Sequence, residues 1–175
     1  MATISQINSY IVDIPTIRPH KLSMTSMAVQ SMVIVRIRDS EGREGIGEGT
    51  TIGGLAYGAE SPESIKTNID SYITPLLEGK GTDNPQVVMQ DIHRAIRGNS
   101  IAKSAIETAL LDLLGKTLNV PLSTLLGGAL HSQIPCLWVL ASGDTQRDID
   151  EAKTMIATGR HNTFKLKIGN RSVQD

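Results

Sequence analysis

Near the end of the chain stands Phe164-Lys-Leu-Lys-Ile-Gly169. In an extended backbone, side chains alternate between faces. Lys165 and Lys167 then share one face, and Phe164, Leu166 and Ile168 share the other. The two lysines stand roughly 6–7 Å apart along the backbone, at a rise of about 3.3 Å per residue. Two neighbouring ammonium groups are costly away from water unless an anion compensates them. One lysine of such a pair can exchange a proton with carbon, while its neighbour holds a carboxylate. The same six residues also read as an amphipathic strand with a wet basic face. The residues alone leave both readings open.

Other reactive side chains are sparse. Cys136 is the single cysteine, so no internal disulfide can form. It lies in the apolar run Ile134-Pro-Cys-Leu-Trp-Val-Leu-Ala141 and reads as a buried core thiol in a reducing compartment. His20, His93, His131 and His161 form neither HExxH nor a short ligand cluster, and read as structural or surface residues. His20 is set apart from the others by its place in a loop. The glycines at 45, 47, 49, 53, 54 and 58 fit neither nucleotide-binding fingerprint, so loop flexibility and tight turns account for them better. Glu48 reads either as an orienting group for the loop that follows it or as a solvated surface residue. Tyr57, without further information, reads as a loop aromatic tucked onto the core.

Composition narrows the class. Lysine and arginine number 17, aspartate and glutamate 18, and the formal net charge is -1. A nucleic-acid binder would show a basic face, and here the basic residues are scattered. Hydrophobic residues make up 39% and aromatic residues 3%, so the core must come from Ile, Leu, Val, Met and Ala. The N-terminus lacks the basic and apolar pattern of a signal peptide. No apolar run reaches the roughly 18 residues of a membrane span.

The elements that must position the lysines follow from periodicity. Residues 4–14 read as a strand and 15–30 as a loop rich in Ser, Thr and Met, with Pro15 and Pro19. Residues 31–38 form a strand with Val33, Val35 and Ile37 on one face and Arg36 and Arg38 on the other. A turn at 39–42 leads to a return strand from Gly45, an antiparallel hairpin. Ser61-Pro-Glu63 starts a helix whose apolar stripe is Ile65, Ile69, Tyr72 or Ile73, and Leu76. Asp83 or Asn84 opens a second helix. Asn99 precedes a long apolar helix whose alanines at 102, 105 and 109 permit close packing against a neighbour. Asn119 and Pro121 stop it, and a short turn at 122–126 ends in Gly127-Gly128.

The pattern then changes. Residues 134–141 read as a buried strand and Thr145 to Ala157 as a helix with Ile149, Ala152 and Ile156 inside. Thr145 with Asp148 resembles a capping box, and residues 163–168 form a second strand. This βα unit places the lysines near the C-terminal end of a parallel strand, where closed (β/α) barrels carry their chemistry. The expected fold is an α+β capping domain, an antiparallel hairpin sheet plus helices, over 1–130. The first strands of a barrel follow over 131–175. Two parallel strands alone cannot cover both faces of their sheet, so residues 131–175 are expected to need further chain to fold properly.

The chain resembles the muconate lactonizing enzymes, the cis,cis-muconate cycloisomerases of the enolase superfamily. The resemblance runs over essentially the whole sequence. It is carried by Pro15-Thr-Ile-Arg-Pro-His-Lys-Leu22, Gly47-Glu-Gly-Thr-Thr-Ile-Gly-Gly-Leu-Ala-Tyr-Gly58 and Ala102-Lys-Ser-Ala-Ile-Glu-Thr-Ala-Leu-Leu-Asp112. Leu125-Leu-Gly-Gly128, Trp138-Val-Leu-Ala-Ser-Gly-Asp144 and Phe164-Lys-Leu-Lys-Ile-Gly169 complete it.

The resemblance implies a truncated (β/α)7β barrel behind a capping domain. It implies Lys167 as the general acid/base at the carbon next to a carboxylate, and Lys165 as the partner that tunes it and holds the substrate carboxylate. Ile52 and Tyr57 become substrate-facing residues of a mobile second loop, with the first loop around 16–24 closing beside it. The implied reaction is reversible conversion of cis,cis-muconate to muconolactone in bacterial aromatic-compound degradation. The implied cofactor is Mn²⁺ or Mg²⁺, stabilising an enolate, with its three carboxylate ligands on later strands beyond this chain. Asp112 and Glu107 match no ligand and read as structural. A small dicarboxylate substrate, a homo-oligomer, often an octamer, and a cytoplasmic location are also implied, with neither nucleic acid nor membrane as partner. Alternatives are a chloromuconate cycloisomerase, a dipeptide epimerase, an o-succinylbenzoate synthase, or an inactive fragment or interaction module. The 175 residues alone are expected to be inactive.

Overall fold

A computed structural model describes residues 1–22 and 25–167. The chain divides into two compact units, one of residues 1–19 and 24–128, the other of residues 20–23 and 129–175.

The first unit is a three-stranded sheet backed by helices. Strands β1 (Ile4–Lys21), β2 (Ser26–Asp39) and β3 (Glu44–Thr50) lie in the order β1-β2-β3. β2 and β3 form the expected antiparallel hairpin, with Val35 opposite Gly47 and Ile37 opposite Gly45. Its turn is built on Asp39, a buried carboxylate that accepts from the backbone N–H of Glu41 and Arg43 and from Arg43 Nε at 2.8 Å. Burial pushes the Asp39 carboxyl up, but the Arg43 side chain and the two backbone N–H groups outweigh it and hold the carboxyl below its usual range.

The expected loop at 15–30 is a correction. β1 runs on to Lys21 and β2 begins at Ser26. Prolines 15 and 19 are accommodated because β1 is an edge strand, where a missing N–H costs no ladder bond on the open side. Thr16 Oγ1 donates to the Ala28 carbonyl and Ser31 Oγ to Asp13, so polar side chains clip the pair together.

Helix α1 (Pro62–Asn68) starts as expected at Ser61, with Ser64 closing a reciprocal capping box. It continues through a π-helical turn (Ile69–Ile73) into α2 (Thr74–Leu77). The buried stripe is Ile65, Ile69, Ile73 and Leu77, so Tyr72 is excluded and Leu77 replaces Leu76. Four-residue steps in an α-helix drift by about 40° each. The wider π turn reverses part of that drift and keeps the stripe facing the core. Helix α3 (Pro85–Ala95) is capped by Asn84.

Helix α4 (Ser100–Leu118) packs along β3. Gly45 and Gly47 allow it: a Cβ there would lie 2.1 Å from the Ala109 carbonyl oxygen and 1.9 Å from that of Ala105. These glycines, with Gly49, occupy the buried face of β3. They serve close approach of helix to sheet rather than the turns and loop flexibility expected for them. Asp112 accepts from the Ile46 N–H at 2.8 Å and from Lys116, which also donates to the Glu44 carbonyl. Asp112 is thus structural, as expected. The core joins Val33, Val35 and Ile37 to the α1–α2 stripe and to Ile106, Leu110 and Leu113. Asn119, in the left-handed region, closes α4, and α5 (Leu122–Leu125) follows.

The second unit holds β4 (Trp138–Leu140), α6 (Thr145–Ala157) and β5 (Phe164–Leu166). β4 and β5 are parallel, with Trp138 opposite Phe164 and Leu140 opposite Leu166. Both strands are shorter than their apolar runs, and Ile134 is 76% exposed. Cys136 is exposed rather than buried, because residues 134–137 precede the strand and no layer among the described residues covers them. Asp144, not Thr145, caps α6 by accepting from the Arg147 N–H, while Asp148 is buried and accepts from the Ser142 N–H at 3.0 Å. The inner face of α6 therefore turns about a quarter-turn from the expected one: Ile149 and Ile156 are exposed, and Glu151 takes the Trp138 indole N–H at 2.8 Å.

Candidate active site

Lys165 lies in the middle of β5 opposite Val139, and Lys167 is one residue past the strand end. The Lys167 N–H still donates to the Leu140 carbonyl at 3.3 Å, so the ladder extends to its backbone. Lys165 is exposed and Lys167 half-buried. Lys165 thus stands within a short parallel strand and Lys167 just past its C-terminal end. On the apolar side, Phe164 is half-buried and Leu166 is 51% exposed. Ile168 and Gly169 lie outside the described residues.

Within this second unit the structure brings His20 to Lys167. Lys167 Nζ stands 3.2 Å from His20 Nε2. Sequence reading had only its loop position to distinguish His20, since nothing local ties residue 20 to residue 167. The other histidines behave as expected of structural or surface residues. His161 Nδ1 stands 2.9 Å from the Cys136 carbonyl and its ring lies 5.0 Å from that of Trp138. His93 and His131 are exposed.

Ile52 and Tyr57 belong to the first unit, in the segment that follows β3. They are 45% and 56% exposed, so Tyr57 is not tucked onto the core. A short 3-10 turn at Gly54–Ala56 separates them, entered through Gly53 in the left-handed region. Glu48 is exposed and bonded to the Thr50 hydroxyl at the end of β3. A groove of about 430 Å³ runs between the start of β2 and Gly53-Gly54, reaching Pro62 and Glu63. Neither Ile52 nor Tyr57 lines it. One anchor of this region was missed from the sequence: Glu60 accepts from the Ile101 and Ala102 N–H groups, tying the segment to the start of α4. The signal for it was an acid facing a helix start that lacks a side-chain cap of its own.

The fit to a divalent metal can be tested on the donor set. Among the described residues, no three His, Cys, Asp or Glu side chains cluster as a metal site would require. Glu107 is exposed on α4. The described residues therefore do not form a cation site, and no chemical step is assigned to one. Among the same residues no helix is long and apolar enough to cross a membrane.

Comparison with known proteins bears on the identity of this arrangement. The N-terminal domain of the mandelate racemase / muconate lactonizing enzyme family matches residues 6–127. Muconate cycloisomerase 1 of Acinetobacter baylyi is 55% identical over 169 residues, covering 96% of this chain and 46% of its own length. The chloromuconate cycloisomerase of Cupriavidus pinatubonensis is 49% identical, covering 98% of this chain and 46% of its own. The crystal structure of the muconate lactonizing enzyme from Pseudomonas fluorescens complexed with muconolactone superposes with a TM-score of 0.94 at 54% identity, covering 99% of this chain and 47% of that one. The chain thus spans a little under half the length of these relatives. It carries the α+β capping fold followed by the initial strands of the barrel. With the family match over most of its length, the chain belongs to the mandelate racemase / muconate lactonizing enzyme family.

Proposed function

We propose that the whole protein is a muconate cycloisomerase, an intramolecular lyase that interconverts cis,cis-muconate and muconolactone. Residues 1–130 form its capping domain and residues 131–175 open its barrel. The observation that carries this reading is the lysine pair at the C-terminal end of a parallel strand, in a chain 55% identical to a muconate cycloisomerase.

In the lactonizing direction, one substrate carboxylate oxygen forms a C–O bond to the far alkene carbon. The alkene electron pair moves toward the other carboxylate, giving an enolate-like dianion. Lys167 delivers a proton from Nζ to the carbon beside that carboxylate, and the reverse reaction removes it. Lys165 faces the carboxylate with its positive charge and stabilises the charge that develops there. A dicarboxylate substrate thereby supplies the anionic partner that two adjacent ammonium groups require. Ile52 and Tyr57 contact the substrate from the segment after β3. The cofactor of this reading is Mn²⁺ or Mg²⁺, and none of this chain's described residues is assigned to hold it. The reading also places the protein in the cytoplasm, in aromatic-compound catabolism through catechol and β-ketoadipate, as a homo-oligomer.

The test is Lys167→Ala in the whole protein, followed by the loss of the conjugated diene's ultraviolet absorbance. Turnover should fall by at least about a thousandfold, the scale of a lost general acid/base, with circular dichroism and Tm unchanged. A folded variant with near-parental rates would overturn the assignment.

A further inference from the structure

We propose that His20 is a positioning residue for Lys167, holding its Nζ in the orientation from which the proton is transferred. This rests on the reading of Lys167 as the proton carrier. The contact spans 147 residues of sequence and joins Nζ to Nε2 at 3.2 Å. A lysine ammonium has three donors and no acceptor, and a protonated imidazole likewise has only donors. A hydrogen bond between the two therefore requires a lone pair on one of them. Either Lys167 donates to a neutral His20 carrying its proton on Nδ1, or a neutral Lys167 amine accepts from His20 Nε2–H. Both arrangements fix the direction of the same nitrogen.

That fixation matters because of how the rest of Lys167 is held. Its backbone is tied to the sheet by the bond to the Leu140 carbonyl. The four-carbon stem beyond is flexible, and a point charge at its end has no preferred geometry of its own. Proton transfer to carbon needs the nitrogen within hydrogen-bond reach and correctly aimed. His20 supplies a point of attachment at the far end of the stem. Lys167 is half-buried where it meets this imidazole, whereas Lys165, two residues earlier on the same strand, is exposed. The asymmetry fits the two roles: the group that must be aimed is the one that is held.

The experiment compares His20→Gln with His20→Asn in the metal-loaded full-length enzyme. The Gln amide ends near the position of Nε2, whereas the Asn amide ends near Nδ1 and falls short. H20Q should keep kcat within about threefold of the parent. H20N should lose on the order of tenfold to a hundredfold in kcat with KM little changed, the signature of a misplaced reacting group. If H20N does not fold, His20→Leu takes its place in the comparison. Parental kcat in H20N, equal losses in both variants, or a raised KM at unchanged kcat would each overturn the proposal. Lys167→Ala is measured alongside. If it is inactive while H20N is unaffected, only the role of His20 fails. If it is active, the reading of Lys167 fails first.

Discussion

The two units reach order by different means. In the first, one sheet face and three helical segments close over Val33, Val35, Ile37, Ile65, Ile69, Ile106 and Leu110, all fully buried. In the second, burial among the described residues is confined to Leu140, Ala141 and Asp148, while Leu130, Ile134, Leu137, Ile156 and Leu166 are exposed. Polar contacts carry much of the local definition there: Asp144 and Asp148 at the start of α6, Glu151 on Trp138, His161 on the Cys136 carbonyl. The unit that bears the lysines is therefore the less self-sufficient one. A hydrophobic core orders most of this chain, and the lysine pair sits in the unit where that core does not reach.

The contrast can be broken most directly by amide hydrogen exchange on the 175-residue chain. Protection in β2 should exceed that in β5 by at least about a hundredfold, because core strands open only with global unfolding while poorly covered ones open locally. Equal, strong protection of Phe164–Leu166 would show that the second unit is complete in itself.

A smaller effect separates the units by mutation. Gly47→Ala forces a methyl against the Ala105 carbonyl and should destabilise the first unit by about 3 kcal/mol in urea titration, the upper range for overpacking. Ile156→Ser on the exposed side of α6 should change stability by under about 0.5 kcal/mol. Similar values for the two would dissolve the distinction. The smallest effect is electrostatic. Because the Asp39 carboxyl is held below its usual range, its contribution is present above the ordinary aspartate range near pH 4 and is lost as pH falls through the lowered value. Asp39→Asn should lower Tm at neutral pH and flatten its decline between about pH 5 and about pH 2. An acid limb as steep as the parent's would assign that decline to other carboxylates.

The hairpin, the helix caps at Ser61 and Asn84 and the long helix after Asn99 were legible because their signals are local. Apolar alternation or an N-cap needs only a few neighbouring residues to be read. The errors share a cause in the partner that a local pattern cannot show. Prolines at 15 and 19 read as loop until β1 proved to be an edge strand. Glycines at 45 and 47 read as turns until α4 proved to lie against them. The apolar stripe of α6 was judged without knowing that Asp148 turns inward to the Ser142 N–H. At the candidate site, the alternation of Lys165 and Lys167 was readable, but the His20 contact was not, because it is made only by the fold.

The glycine row of β3 has a consequence for how the neighbouring segment can vary. With no clearance left between β3 and α4, the strand behaves as a fixed rail, and the chain leaves it at Thr50 from an invariant starting point. The residues just beyond, Ile52 and Tyr57 among them, are exposed. Their side chains can be exchanged with little penalty returning to the scaffold.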